Sequence, residues 1–230
     1  MLLILLDFVE LALFQKCKLF RNGVDIKMPD FSLEARARSN GFNAICGVDE
    51  VGRGSWAGPV VSAAVIVDED RLPIALINKI DDSKKLRKAV RNEIYFAIQP
   101  FINWQIGIVS AQKIDETDIS AATMLSMKKA VLGLTENTDF VLIDGVSKPE
   151  FSALESESVI KGDTKSISIA VASIIAKVSR DRLMSDMSEQ FPGYGWCRNA
   201  GYGTKEHLSS LKELGLTPEH RKSFAPMRNM

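Results

Sequence analysis

Asp49 and Glu50 stand side by side where the apolar run beginning at Ile45 ends, and Gly52, Arg53 and Gly54 follow them closely. Two more acids occupy the same kind of position. Asp144 closes the run Asp139 to Ile143 and precedes Gly145, while Asp163 follows Gly162 just after the run Ser156 to Ile160. A carboxylate at the end of a buried strand is costly unless something positive meets it. In sheets covered by helices, ligands gather at strand ends. Carboxylates converging there supply the hard oxygen donors that Mg²⁺ takes, a few from protein and the rest from water or phosphate. Two such ions about 3.5–4 Å apart activate a water and stabilise the leaving oxygen in phosphodiester cleavage. No Cys or His lies within these three motifs, which sets zinc aside. Strand side chains alternate between faces, so Asp49 and Glu50 cannot both point one way in a regular strand. Phosphatases, nucleases and polymerases all use such an arrangement. Taken singly, Asp144 and Asp163 read as readily as turn caps, and a lone Asp-Glu pair as an acidic turn.

The elements that must position these groups follow from periodicity. Ile45 onward and Val60–Val67 (VVSAAVIV) read as two strands that pair with each other, and 104–109 (WQIGIV), 139–143 and 156–160 as further strands. Helices are expected from Lys84 to Gln99 with Ser83 as the cap, from Ile114 to Leu134, from Ser166 to Asp186, and after Thr204 as the cap to Leu214. The third is apolar early and expected to turn polar at Arg180, Asp181 and Arg182. Between it and the last lies a glycine- and aromatic-rich loop, Phe191 to Gly203. Strands alternating with helices after an opening hairpin predict an α/β fold, a mixed sheet flanked by helices with a helical C-terminal appendage.

The chain of 230 residues is 46% hydrophobic with a formal net charge of zero. That suffices for one sizeable core and argues against nucleic-acid binding driven by the field of the whole molecule. The charge is uneven: from Lys161 onward 11 Lys and Arg face 7 Asp and Glu, and His207 and His220 both lie there. Cys17, Cys46 and Cys197 show neither a metal-ligand spacing nor a disulfide framework, which suits a reducing, cytoplasmic setting. The opening MLLILLDFVELALF is too short and too interrupted by Asp7 and Glu10 for a spanning helix of roughly 20 apolar residues. It also lacks the features of a secretory signal. Residues 1–27 are read as an extension of uncertain status, either an amphipathic helix or the result of a start assigned ahead of Met28.

GVDEVGRGSWAGPV, DSKKL, LIDG, KGD, IAVASIIAKVSRDR and GYGTKEH, in that order from about Met28 to Phe224, resemble the bacterial ribonuclease HII family. The resemblance implies a ribonuclease H-like catalytic domain over 28–186, completed by a C-terminal loop and helical segment over 187–230 that closes the substrate groove. It implies a Mg²⁺- or Mn²⁺-dependent endonuclease acting on RNA–DNA hybrids and on duplex DNA carrying single ribonucleotides. Such an enzyme cuts on the 5′ side and leaves a 3′-hydroxyl and a 5′-phosphate. The family's catalytic, metal-binding acids fall on Asp49, Glu50, Asp144 and Asp163, with Asp49 expected to be shared between two ions. Its 2′-hydroxyl reader falls on Gly52, Arg53 and Gly54, and its sugar-stacking tyrosine on Tyr202. Glycines let main-chain groups approach the 2′-hydroxyl, which is what separates RNA from DNA at a site.

Ser83, Lys84 and Lys85, with Lys161 and Lys165 flanking Asp163, are candidate phosphate contacts; solvated lysines are the alternative. His207 is read as a polar partner near the site or a helix-surface residue, and not as a base. Ser55 stands where the family commonly has proline, Asp118 where asparagine is frequent and Ala200 where lysine is frequent. The protein is expected to be a monomer without membrane association. Two other readings stay open: a non-catalytic hybrid-binding module, and a related metal nuclease without junction specificity.

Overall fold

The computed structural model describes residues 28–230 except 82 and 85. The readings placed on residues 1–27 and on Lys85 therefore lie outside the described residues. In chain order the elements are α1 (Ser32–Ser39), β1 (Ile45–Val51), β2 (Val60–Val67), α2 (Ile74–Ile77), α3 (Lys88–Ile98) and β3 (Ile102–Val109). Then come α4 (Ala111–Glu116), α5 (Ile119–Leu132), β4 (Phe140–Asp144), β5 (Glu155–Val159), α6 (Ile167–Gln190), α7 (Trp196–Asn199) and α8 (Lys205–Leu214).

The strands form one five-stranded sheet in the order β3-β2-β1-β4-β5. The opening hairpin is antiparallel, with Asp49 opposite Ala63 and Glu50 opposite Ser62. β4 and β5 add in parallel, with Val48 opposite Ile143 and Asp144 opposite Val159. Helices cover both faces, the solution for a sheet whose strands are apolar on both sides. On one face Cys46, Val48, Val141 and Ile143 pack with Met127, Ala130 and Val131 of α5. On the other, α6 lies across β1 and β2, where Ala63 and Val65 meet Ile167, Val171 and Ile174, with Ile94 and Ile98 of α3 alongside.

That division sets the directions of the acids. Asp49 shares its parity with Gly47, on which α6 rests so closely that a Cβ would lie 2.2 Å from the Ser168 carbonyl carbon. Asp144 shares its parity with Leu142, which packs against Ile169 of α6. Both carboxylates therefore face α6, and Glu50, one residue on from Asp49, is turned away from it.

Several boundaries differ from those expected. The helix foreseen from Lys84 begins at Lys88, and its N-cap Arg87 offers no side-chain cap. The long helix foreseen from Ile114 is two, because Asp118 starts a new one by accepting from the N–H groups of Ser120 and Ala121. Aspartate and asparagine both carry the oxygen this cap needs, so Asp118 departs from the family's asparagine without losing the function. The Thr204 cap forms as foreseen, while Ser166, read as the first residue of the long helix, is its N-cap and accepts from the Ile169 N–H.

Candidate active site

The strand ends bring three acids together. One carboxylate oxygen each of Asp49, Asp144 and Asp163 lies within 4.8 Å of the others. Asp49 comes from the centre of the sheet, Asp144 from the C-terminal end of the neighbouring strand, and Asp163 from the 3-10 turn Gly162–Thr164 that leads into α6. The turn is tied to β4 directly, since the Gly162 N–H donates to Asp144 Oδ1 at 2.6 Å. Lys161 starts it in the left-handed conformation, at φ 55. Glu50 is outside the trio, as strand alternation requires, and its Oε1 lies 3.6 Å from Arg53 Nη1.

Burial pushes Asp49 well above the usual carboxylate range, and the charges of Glu50 and Asp144 push further in the same direction. Glu50 is raised too, again first by burial, with Arg53 pulling against the shift. Like charges this close in a desolvated site are costly. All-oxygen donors, two of them nearly fully buried, are what a hard divalent cation takes up and what makes such a cation favourable there. The donor set fits Mg²⁺ or Mn²⁺.

The remaining candidates separate. Ser83 is buried at 3% exposure, and its hydroxyl pairs with Ser173 of α6 at 2.8 Å. Ser173 in turn hydrogen-bonds the Asp49 carboxylate. This places Ser83 behind the acid site and not on its surface. Lys84 is exposed and close enough to Glu50 to favour its charged form. Lys161 and Lys165 are exposed on either side of the buried Asp163. Arg53 is half-exposed beside Glu50.

Gly52 has φ +93, and a Cβ there would lie 2.2 Å from Arg180 Nε, so only glycine fits. Tyr202 sits on the loop between α7 and α8 with 38% of its surface exposed. A Cβ on Gly54 would come within 4.0 Å of its ring, so the Gly-Arg-Gly loop and the tyrosine are neighbours. Main-chain bonds hold the two loops together: Trp56 N–H donates to Gly201 O at 2.8 Å and Ala57 N–H to the same oxygen at 3.2 Å.

Two arginines complete this junction, and the sequence reading did not single them out. Arg180 was expected on the polar stretch of its helix; it is fully buried instead. Its guanidinium donates to the carbonyls of Pro59, Ala200 and Ala57 at 2.8, 2.8 and 3.2 Å, and lies 5.8 Å from the Tyr202 ring centroid. Arg221, also fully buried, donates to Gly58 O and to Arg53 O. The fixed fork of arginine suits several carbonyls at once. Burial pulls both guanidiniums below their ordinary range, and for Arg221 the neighbouring Arg180 charge acts the same way. His207 is fully buried, and its Nδ1 lies 3.0 Å from the carbonyl oxygen of Tyr202.

A mixed sheet covered on both faces, with acids gathered at the ends of its central strands, is the ribonuclease H-like fold. Solved structures share the fold: the ribonuclease H2 of Pyrococcus horikoshii superposes with a TM-score of 0.69 over 81% of this chain and 96% of that one, at 22% identity. A ribonuclease HIII solved in complex with Mn²⁺ gives 0.61 over 84% and 70%, at 20% identity. The profile of the family described as Ribonuclease HII matches residues 46–227. A ribonuclease HII of Ruegeria pomeroyi is 50% identical over 85% of this chain and 82% of its own length. The chain belongs to the ribonuclease HII family.

Proposed function

We propose that this protein hydrolyses the RNA strand of RNA–DNA hybrids and cuts duplex DNA on the 5′ side of a single embedded ribonucleotide, with Mg²⁺ or Mn²⁺ held by Asp49, Asp144, Asp163 and Glu50. The observation that carries the reading is the convergence of the three aspartates within 4.8 Å, beside a loop shaped by Gly52. When bound, the divalent ions supply a water of lowered pKa and charge stabilisation for the leaving oxygen. The protein's own groups do the rest. Ser173 holds the carboxylate of Asp49, and the Gly162 N–H holds that of Asp144, so both acids face the reacting phosphate in fixed orientation. Water attacks phosphorus, the bond to the preceding 3′ oxygen breaks, and that oxygen leaves with a proton. The products are a 3′-hydroxyl on the preceding nucleotide and a 5′-phosphate on the ribonucleotide.

Main-chain groups of Gly52 to Gly54 approach the 2′-hydroxyl, and Arg53 engages the adjoining phosphate. The Tyr202 ring stacks on the following sugar and tests for deoxyribose. Lys84, Lys161 and Lys165 meet the phosphate backbone, and residues 187–230 complete the groove; their main-chain bonds to residues 56–58 support that role. The protein acts as a cytoplasmic monomer. The unpaired thiols of Cys46 and Cys197 accord with a reducing compartment. Among the described residues no helix is long and apolar enough to cross a membrane.

A non-catalytic binding module is the weaker reading, because clustered acids without metal would repel a phosphate backbone. The test is cleavage of three labelled duplexes, with one ribonucleotide, a run of ribonucleotides or none, in Mg²⁺, Mn²⁺ or chelator. Metal-dependent cutting 5′ to the single ribonucleotide, sparing pure DNA, is expected. Cutting only within the run would remove the junction roles of Gly52–Gly54 and Tyr202, and no cutting at all would remove the catalytic reading.

A further inference from the structure

Tyr202 is placed by a chain of buried hydrogen bonds whose protons are all determined by their partners. Trp196 Nε1 can only donate, and it faces His207 Nε2 at 3.2 Å. That nitrogen is therefore bare, and the proton of His207 is on Nδ1, which donates to the Tyr202 carbonyl at 3.0 Å. The same logic fixes the second histidine. The Thr217 N–H donates to His220 Nδ1 at 2.9 Å, so the proton of His220 is on Nε2. His220 Nε2 faces His207 Nε2 at 3.0 Å and donates to it, sharing the single lone pair of that nitrogen with the Trp196 N–H in a three-centre bond. Trp196, His207 and His220 are all buried at 1% exposure or less, where such chains are stiff and costly to break.

The far end of the chain is anchored on the opposite loop. His220 bridges to Ala57, and the next residue, Arg221, holds the carbonyls of Arg53 and Gly58. One short segment, 217–221, thus sets both the Gly-Arg-Gly loop and, through two imidazoles, the Tyr202 carbonyl.

We infer that His207, oriented by His220, is a positioning residue that sets Tyr202 against the Gly52–Gly54 loop and so determines the preference for a ribonucleotide–deoxyribonucleotide junction. The inference rests on the junction reading proposed above. His207 touches no reacting atom; it acts through the main chain of Tyr202.

The two ring nitrogens can be tested apart. His207→Asn places an amide N–H near the Nδ1 position and keeps the donor to Tyr202. His207→Gln places its amide near the Nε2 position, where it meets Trp196 and His220 but leaves the Tyr202 carbonyl without that donor. Each variant is compared with wild type for kcat/KM on the single-ribonucleotide duplex and on the RNA-run hybrid, with melting temperature recorded. His207→Gln is expected to lose about tenfold on the single ribonucleotide relative to the run, and His207→Asn to keep most of the preference. Adding His207→Gln to Tyr202→Ala should then cost no further preference. Equal losses of His207→Gln on both substrates, or no loss, would overturn the inference and leave a purely structural histidine. If wild type ignores the single ribonucleotide, or Tyr202→Ala affects both substrates alike, the junction reading itself has failed. Should His207→Gln not fold, His220→Leu, which removes the Nε2 donor that orients His207, is expected to show the same selective loss on the single ribonucleotide, and equal losses on both substrates, or none, would overturn the inference.

Discussion

Replacing Asp49 by asparagine should abolish cutting and yet make the metal-free protein more stable. At 4.8 Å, two full negative charges repel by about 3 kcal/mol at an effective dielectric near 20. Asparagine keeps the shape and an acceptor for Ser173 while removing that charge. Part of the repulsion is already avoided where the cluster holds a proton, so the expected gain is about 2 kcal/mol, or about 4–8 °C in melting temperature for a domain of this size. The pH dependence follows from the raised pKa of Asp49. Below its ordinary 3.8 the carboxyl is neutral folded and unfolded, and the wild type suffers no penalty. As pH rises through the folded value, the native state must give up a proton it holds better than the unfolded chain, and stability is lost. The advantage of Asp49→Asn should therefore be absent in strong acid and grow toward neutrality. Metal reverses the order, since an ion at one hundred times its dissociation constant stabilises the wild type by about 2.7 kcal/mol and the variant far less. Thermal unfolding in chelator and in saturating Mn²⁺ measures both effects. A variant that melts below wild type in chelator, or an equal rise of both proteins with Mn²⁺, would refute the account of Asp49 as a charge held ready for a cation.

Gly52→Ala should cost about 2 kcal/mol or more, because a Cβ at φ +93 would meet the Arg180 guanidinium; denaturant midpoints measure it, and a cost under about 0.5 kcal/mol would refute the packing argument. Ser55→Ala should stabilise by about 1 kcal/mol, since the Ser55 hydroxyl is buried with no hydrogen-bond partner among the described residues; a lower urea midpoint would refute this. His220 is held down to about 4, first by burial and then by His207, from an ordinary 6.5. The stability of its neutral form is complete above 6.5 and is lost as pH falls toward 4, on the order of 2 kcal/mol. His220→Asn should flatten that acid limb of the stability–pH curve, and an unchanged slope would refute the assignment.

The acids were legible because each ends an apolar run, and strand parity even separates Glu50 from Asp49. The sheet and the cap at Thr204 were legible for the same reason, since periodicity and cap chemistry are local. Ser83 was misread because a serine ahead of a helical pattern resembles a cap, whereas its partner is Ser173, distant in sequence and brought close by α6. The break at Asp118 carried a local signal, an aspartate inside an apolar helical pattern, that apolar spacing alone outweighed. Arg180, Arg221 and the two histidines carried no signal of this kind. Their partners are main-chain carbonyls and a tryptophan N–H placed by tertiary structure, and no spacing rule reports a carbonyl. The division has a physical basis. Metal-binding chemistry needs particular side chains, so it is written in residue types. Reading a 2′-hydroxyl and a sugar face needs main chain and one ring held at a set separation. In the junction reading proposed above, that separation is set by buried donors whose importance becomes visible only once the loops they tie together have been folded against one another.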